Sequence, residues 1–295
     1  MTLLPRPDAD FFTEPSPPRP RMPAAAHAPA RPWRQEAQGL IVDLDGTLMR
    51  EDEPMAGASE LLHAYAGRFV IVSNNSTHTA PQLARRLARA GLPVVPQDLV
   101  LAGEQAVRHL ARTSLDRRLL LCGSTGLKRL ASTLGCRLVE RDAEVVLLAL
   151  DKSFSYRRLA QLTRELAQGA PLVVTNPDLT HPGPDGQIVP ETGALLQALR
   201  ACVQPAHTHV VGKPGRAMFA EAVGRLHAAG AGRLVVIGDN PDTDAAGAVA
   251  MGLPYLLVGP GPHADAPDPA GLLALRRPAR RGLPGAAMPR QASSA

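Results

Sequence analysis

Three apolar runs in this chain end directly in acids, amides and hydroxyls, and this constrains the fold more than any other feature. Leu40-Ile41-Val42 leads into Asp43-Leu44-Asp45-Gly46-Thr47, and Phe69-Val70-Ile71-Val72 into Ser73-Asn74-Asn75-Ser76. Leu234-Val235-Val236-Ile237 leads into Gly238-Asp239-Asn240-Pro241-Asp242-Thr243-Asp244. Runs that are apolar throughout, rather than at alternate positions, belong to strands covered on both faces, as in parallel sheets. The pattern predicts strands over 40–43, 69–73, 119–122, 145–148, 172–175, 209–211, 234–238 and 255–258. Helices are predicted over 57–66, 79–90, 103–111, 155–168, 193–202, 216–229 and 242–251. Such alternation predicts an α/β fold. In an open parallel sheet, ligands bind beyond the carboxyl ends of the strands, so three strands bring their polar residues to one edge.

The 295 residues, 45% of them hydrophobic, suffice for two modest domains. Residues 1–38 hold nine prolines and sustain neither period, which predicts a disordered extension. Met22 offers an alternative start. The pattern fades again near Gly259, and residues 266–295 read as a basic, disordered tail. The net charge of +5 belongs to these ends: residues 39–275 carry 22 basic against 23 acidic side chains, and five arginines follow Leu275 without an acid. No apolar run approaches the ~20 residues of a membrane helix, and Met1–Phe12 lacks the apolar segment of a secretory leader. Cys122, Cys136 and Cys202 are too few and scattered for a disulfide framework. A cytoplasmic protein with buried thiols is expected.

Asp43 and Asp45, two residues apart, lean to the same side of an extended segment, and carboxylates this close repel unless a cation or shared proton intervenes. Mg²⁺ suits them, being a hard ion that bridges a few carboxylates to a substrate phosphate. Asp239 adds a third oxygen from another strand. Ser73 and Asn74 offer a hydroxyl and amide donors to an anion, and Lys213, one of only three lysines beside 29 arginines, adds a compact positive charge. Each signal alone has a plainer reading. Asp-x-Asp-Gly also marks a turn or a calcium loop; Ser73-Asn74-Asn75 also reads as a helix cap. Lys213 alone is a solvated side chain, and Gly238-Asp239 alone is a turn. Four such signals in one order, most of them directly after an apolar strand, together point to a phosphoryl-handling site.

With these residues the chain resembles a haloacid-dehalogenase (HAD) superfamily phosphatase. Asp43-Leu44-Asp45-Gly46-Thr47 matches the first motif, Ser73-Asn74 the second, Lys213 the third and Gly238-Asp239-x4-Asp244 the fourth. Leu48-Met49, Asn75-Ser76, Thr175-Asn176-Pro177-Asp178 and Gly212-Lys213-Pro214 make it similar to subfamily IIA, the nucleotide and 4-nitrophenyl phosphatase group. The resemblance runs from about Gly39 to Gly259. It implies a Rossmann-like core with a parallel sheet over residues 39–111 and 207–265, and an inserted C2-type α/β cap over 112–206.

It further implies that Asp43 is the nucleophile that becomes an aspartyl phosphate. Asp45 would protonate the leaving oxygen and then deprotonate water. Mg²⁺ would be held by Asp43, the Asp45 backbone carbonyl and Asp239. Ser73, Asn74 and Lys213 would grip the phosphoryl group, and Asp244 would orient Lys213 or a metal-bound water. Asn240, Pro241, Asp242 and Thr243 would line the site. Asn176 and Asp178 would help to shape the pocket, although a capping or turn role suits Asp178 equally. Dehalogenating relatives lack the second acid, so Asp45 points to phosphate esters.

The expected partner is a small phosphorylated metabolite: a nucleotide, or a sugar, glycerol or vitamin phosphate. A phosphotransferase that passes the same aspartyl phosphate to an alcohol is the alternative, and a homo-oligomer is compatible with either. A specific nucleic-acid partner is not expected, because no aromatic follows Arg276 to stack on bases. His207-Thr208-His209 reads as a strand-edge pair. Gly212-Lys213-Pro214-Gly215 lacks the upstream Gly and following Ser/Thr of a P-loop.

Overall fold

The computed structural model describes residues 32–183 and 187–281. The first stretch of chain forms α1 (Trp33–Glu36), β1 (Gly39–Val42), β2 (Met49–Arg50), β3 (Glu53–Pro54), α2 (Ala58–Ala64), β4 (Phe69–Ser73), α3 (Ala80–Arg89), β5 (Leu99–Leu101) and α4 (Ala102–Thr113). The middle forms β6 (Arg118–Cys122), α5 (Thr125–Thr133), β7 (Arg137–Leu138), β8 (Val145–Leu148), α6 (Tyr156–Ala167) and β9 (Leu172–Val174). It continues through β10 (Thr180–Pro182), β11 (Ile188–Pro190), α7 (Thr192–Cys202) and β12 (Thr208–Val210). The remainder forms α8 (Arg216–Ala228), β13 (Leu234–Gly238), α9 (Ala246–Met251), β14 (Tyr255–Leu257) and α10 (Pro269–Ala274).

Two parallel sheets organise these elements. The first has the order β14-β13-β1-β4-β5, with Ile41 opposite Val236 on one side and Val70 on the other. Side chains alternate between its faces. Leu40, Val42, Ile71 and Ile237 pack with Leu61 and Leu62 of α2 and Leu83 and Leu87 of α3, while Ile41, Val70, Val72 and Val236 pack with Met218, Phe219 and Ala222 of α8. Burial on both faces is why these strands read as apolar throughout.

The second sheet, β12-β9-β8-β6-β7, repeats the plan. Leu119, Leu121, Val145 and Leu147 face α4 and α5, and Leu120, Val146, Leu148 and Val174 face α6 and α7. The α/β fold with an inserted second domain thus has the form expected from the sequence.

The limits of the domains differ from expectation. β12 pairs with β9 in the second sheet, Thr208 opposite Leu172 and Val210 opposite Val174, so this domain reaches beyond residue 206. α4 also belongs with it, because Ala106, Val107 and Leu110 lie in the second domain's core. A three-residue edge strand and a helix between two sheets have no local mark of the sheet that will take them; only packing assigns them. β5 and α5 lie outside the predicted elements as well.

Both expected disordered ends need correction over the residues described. Trp33 is fully buried; its indole N–H donates to the Leu272 carbonyl (3.1 Å), and its ring stacks on Tyr65 with centroids 6.3 Å apart. α10 seats Leu272 in the first domain's core. Arg280 lies 2.9 Å from the fully buried Asp265 carboxylate, which also pairs with Arg277, and Arg281 reaches Glu36 at 3.5 Å. Three of the arginines behind the basic charge therefore have acidic partners. The rest of both predicted tails, 1–31 and 282–295, lies outside the described residues, as does Met22. Among the described residues no helix is long and apolar enough to cross a membrane.

Candidate active site

The carboxyl ends of β1, β4 and β13 meet where β1 and its neighbours stop. Asp43 follows β1, held by its own N–H on the Ile237 carbonyl (2.8 Å). Its carboxylate is buried, accepting from Thr47 Oγ1 at 3.1 Å on one oxygen and from Lys213 Nζ on the other. Gly46 turns the chain at φ 86°, and a Cβ there would sit 2.1 Å from Asp239 Oδ2. Only glycine lets the loop pass so close to the acid after β13.

Lys213 enters from the segment before α8. Its buried ammonium joins Asp43 to Asp244, whose Oδ1 lies 2.7 Å from Nζ. Burial alone would lower the lysine's pKa, but Asp244 and Asp43 outweigh it and hold the amine protonated. Asp244 is fixed in turn by its own turn: its second oxygen accepts the Asn240 N–H (3.2 Å), and its N–H donates to the Asn240 carbonyl (2.9 Å). Asn240 Oδ1 caps the wide helical turn Pro241–Ala245 through the Asp242 N–H (2.8 Å). The described bonds of Asn240 and Asp242 thus close the turn that mounts Asp244.

Carboxylate oxygens of Asp43, Asp239 and Asp244 lie within 4.8 Å of one another. Burial raises Asp43 well above the usual carboxylate range; Lys213 opposes this, while Asp244, Asp239 and Asp45 add to it. Asp239 is pushed up to about 6, again first by burial and then by Asp244. Three hard oxygen donors gathered this closely beside a buried ammonium are a donor set that fits a divalent cation. The Asp45 side chain is not one of this trio. It is exposed and accepts from Ser73 Oγ at 3.5 Å, the outer limit of such a bond. Surrounding protein raises its pKa, against Lys213, His181 and Arg86.

Ser73, at the end of β4, is buried and also accepts the Asn75 N–H (3.1 Å). Asn74 makes its side-chain contacts with protein: Nδ2 donates to Asp178 Oδ2 (2.9 Å), and Oδ1 accepts the Lys213 N–H (2.8 Å). Asn176 donates to the Asn74 carbonyl (2.9 Å). Structure thus brings Asp43, Asp45, Ser73, Asn74, Lys213, Asp239 and Asp244 to one place, with Asn176 and Asp178 reaching in from the second domain.

Several neighbours were given no role in the sequence. Ser76 and Thr192, both buried, share a 3.2 Å bond across the domains, and Ser76 also accepts the Leu150 N–H (3.1 Å). Arg86 pairs with Asp52 at the tip of the β2–β3 hairpin, and His181 lies 2.8 Å from Glu191. No motif flags Thr192, Arg86 or His181, whereas Ser76 belongs to the Ser73–Ser76 stretch.

A doubly wound core carrying an inserted α/β domain, with clustered carboxylates around a buried lysine at the strand ends, defines a HAD-type hydrolase. The model of the haloacid dehalogenase-like hydrolase family matches residues 40–137, and a HAD-hydrolase-like model matches 210–276. The chain belongs to this family, within phosphatase subfamily IIA. It is 30% identical to a dihydroxyacetone phosphatase of Corynebacterium glutamicum over 77% of this chain and 82% of that protein. It is 32% identical to a D-glycerol 3-phosphate phosphatase of Mycobacterium tuberculosis, of whose length the match spans 63%. Among solved structures, the magnesium complex of a glycerol phosphate phosphatase from M. tuberculosis superposes with TM-score 0.70 at 31% identity, covering 78% of this chain and 70% of that one. A 4-nitrophenylphosphatase from Thermotoga maritima gives 0.72 at 25% identity, covering 81% and 97%.

Proposed function

We propose that this hydrolase of phosphoric monoesters cleaves a small phosphorylated metabolite through an aspartyl phosphate on Asp43, with Mg²⁺ as cofactor. One observation carries the reading: a buried Asp43 carboxylate is aimed by Thr47 and Lys213 while Asp45, two residues on, is exposed. An Asp43 oxygen attacks phosphorus, and the bond to the ester oxygen breaks. Asp45, whose raised pKa suits it to hold a proton, gives that proton to the departing oxygen. Asp45 then takes a proton from the water that attacks the aspartyl phosphate, releasing phosphate and restoring Asp43.

Lys213 and Ser73 hold the transferring group, whose charge stabilisation is the larger part of catalysis. Lys213 is kept protonated by Asp244 for this purpose. Asp43, Asp239 and the Asp45 backbone carbonyl would hold Mg²⁺, beside Asp244, and the ion would offset the negative charge gathered at the phosphoryl group. A magnesium-bound relative supports the choice of ion. The substrate lies among glycerol, sugar, nucleotide and vitamin phosphates; relatives named as glycerol 3-phosphate, sugar and 5′-nucleotide phosphatases support that range.

The test is hydrolysis of p-nitrophenyl phosphate with Mg²⁺, with EDTA, and by Asp43→Asn. Activity is expected only in the wild type with metal. Full activity in Asp43→Asn would overturn the nucleophile.

A further inference from the structure

Asn74 ties the second domain to the lysine of the first. The donor set leaves no choice in its orientation: the Lys213 N–H must meet the amide oxygen, and the Asp178 carboxylate must meet the amide nitrogen. These partners lie 139 and 104 residues away along the chain. Gly212 passes so close that a Cβ would sit 2.6 Å from Asn74 Oδ1 and 2.5 Å from the Thr175 carbonyl. The lead-in to Lys213 is thus pressed against Asn74 without space to shift.

The far end of the link is equally well mounted. The Asp178 N–H donates to Asn176 Oδ1 (3.1 Å), and its carbonyl accepts the Gly193 N–H at the start of α7 (2.8 Å). Asn176 is buried and spends its amide on the Asn74 carbonyl and, at 3.3 Å, on Thr192. The 176–178 loop therefore grips Asn74 at its backbone and at its side chain.

We propose that Asn74 and Asp178 are positioning residues forming a relay, Asp178–Asn74–Lys213, through which docking of the second domain sets the lysine against Asp43. Both polar ends of Asn74 bond protein groups, so its side chain orients the backbone that carries Lys213. Displacing a catalytic group by about 1 Å costs on the order of 10²-fold in rate, and a loosened relay acts in that way. This rests on Lys213 serving phosphoryl transfer.

The experiment compares kcat and KM of the full chain with Mg²⁺ on p-nitrophenyl phosphate and glycerol 3-phosphate. Asp178→Ala is expected to lower kcat about tenfold or more on both substrates alike, with KM within about twofold. Asp178→Asn keeps an acceptor for Asn74 and recovers most of that loss. Asn74→Ala with Asp178→Ala is no slower than the slower single variant, because both remove one link. Asn74→Asp sets two carboxylates face to face; adding Asp178→Asn restores the bond with donor and acceptor exchanged and raises kcat above Asn74→Asp alone. Failure of that rescue, additive losses, or a loss confined to KM or to one substrate overturns the relay. Lys213→Ala separates the two readings. Wild-type kcat in that variant overturns the role of the lysine, whereas its inactivity beside an unaffected Asp178→Ala overturns only the relay.

Discussion

Lys213 and Asp244 form a buried ion pair, Nζ to Oδ1 2.7 Å, whose acid also stands in the carboxylate trio. The lysine thereby shares in the balance of charge among Asp43, Asp239 and Asp244. Removing one partner of a buried pair leaves an uncompensated charge.

Lys213→Met is therefore expected to lower stability by about 3–5 kcal/mol in metal-free protein. Its kcat should fall on the order of 10²–10³-fold. Urea unfolding with EDTA and p-nitrophenyl phosphate kinetics with Mg²⁺ check the two parts. An equal stability loss with and without Mg²⁺ would argue against shared charge balance.

Mg²⁺ affinity should fall below pH 6. Asp239 is pushed up to about 6, above the ordinary carboxylate value, so the metal-free folded protein holds a proton there that an unfolded chain has lost. Its contribution to stability is thus present at low pH and is lost as pH rises through about 6. Mg²⁺ competes with that proton, and affinity drops about tenfold per pH unit once Asp239 is protonated. Calorimetry at pH 5 and 7.5, in buffers of different ionisation enthalpy, should show weaker binding and greater proton release at the lower pH.

Asp45→Asn should discriminate between leaving groups. Without its acid, departure of an alkoxide slows by about 10²–10⁴-fold. A nitrophenolate needs no proton, so its release is spared. The aspartyl phosphate then outlives its formation. Burst kinetics with p-nitrophenyl phosphate, beside steady-state rates on glycerol 3-phosphate, measure both effects; equal losses on the two substrates in the first turnover would contradict the assignment.

Trp33→Ala should cost about 3–5 kcal/mol, as expected for a fully buried aromatic. The indole joins α1 to the Leu272 carbonyl and stacks on Tyr65. Thermal unfolding checks the loss. At a temperature where the variant stays folded, kcat should equal that of the wild type, since Trp33 packs in the hydrophobic core and bonds no site residue.

The acids and the lysine were legible because each follows or precedes a segment whose apolar pattern is unmistakable. Asp43 ends the Leu40–Val42 run, and Asp239 follows Leu234–Ile237. Trp33 was hidden by the prolines around it, since composition averages a window and cannot see one anchoring side chain. The arginines after Leu275 read as loose charge because their acids, Asp265 and Glu36, are separated from them along the chain or lie at its other end. His209 stands in a strand that local pattern identifies but cannot allot to a sheet.

Local periodicity and strand-end chemistry by themselves determined the α/β class, the edge where function gathers and most of the residues that meet there. These are short-range properties: side-chain direction follows backbone geometry within a few residues. Tertiary structure alone decided which sheet received β12 and α4, that Asp244 joins both the lysine and the carboxylate trio, and that Asn74 faces Asp178 and Lys213. Such contacts join positions 104 and 139 residues apart at Asn74, and its bond to Asp178 exists only where the two domains meet.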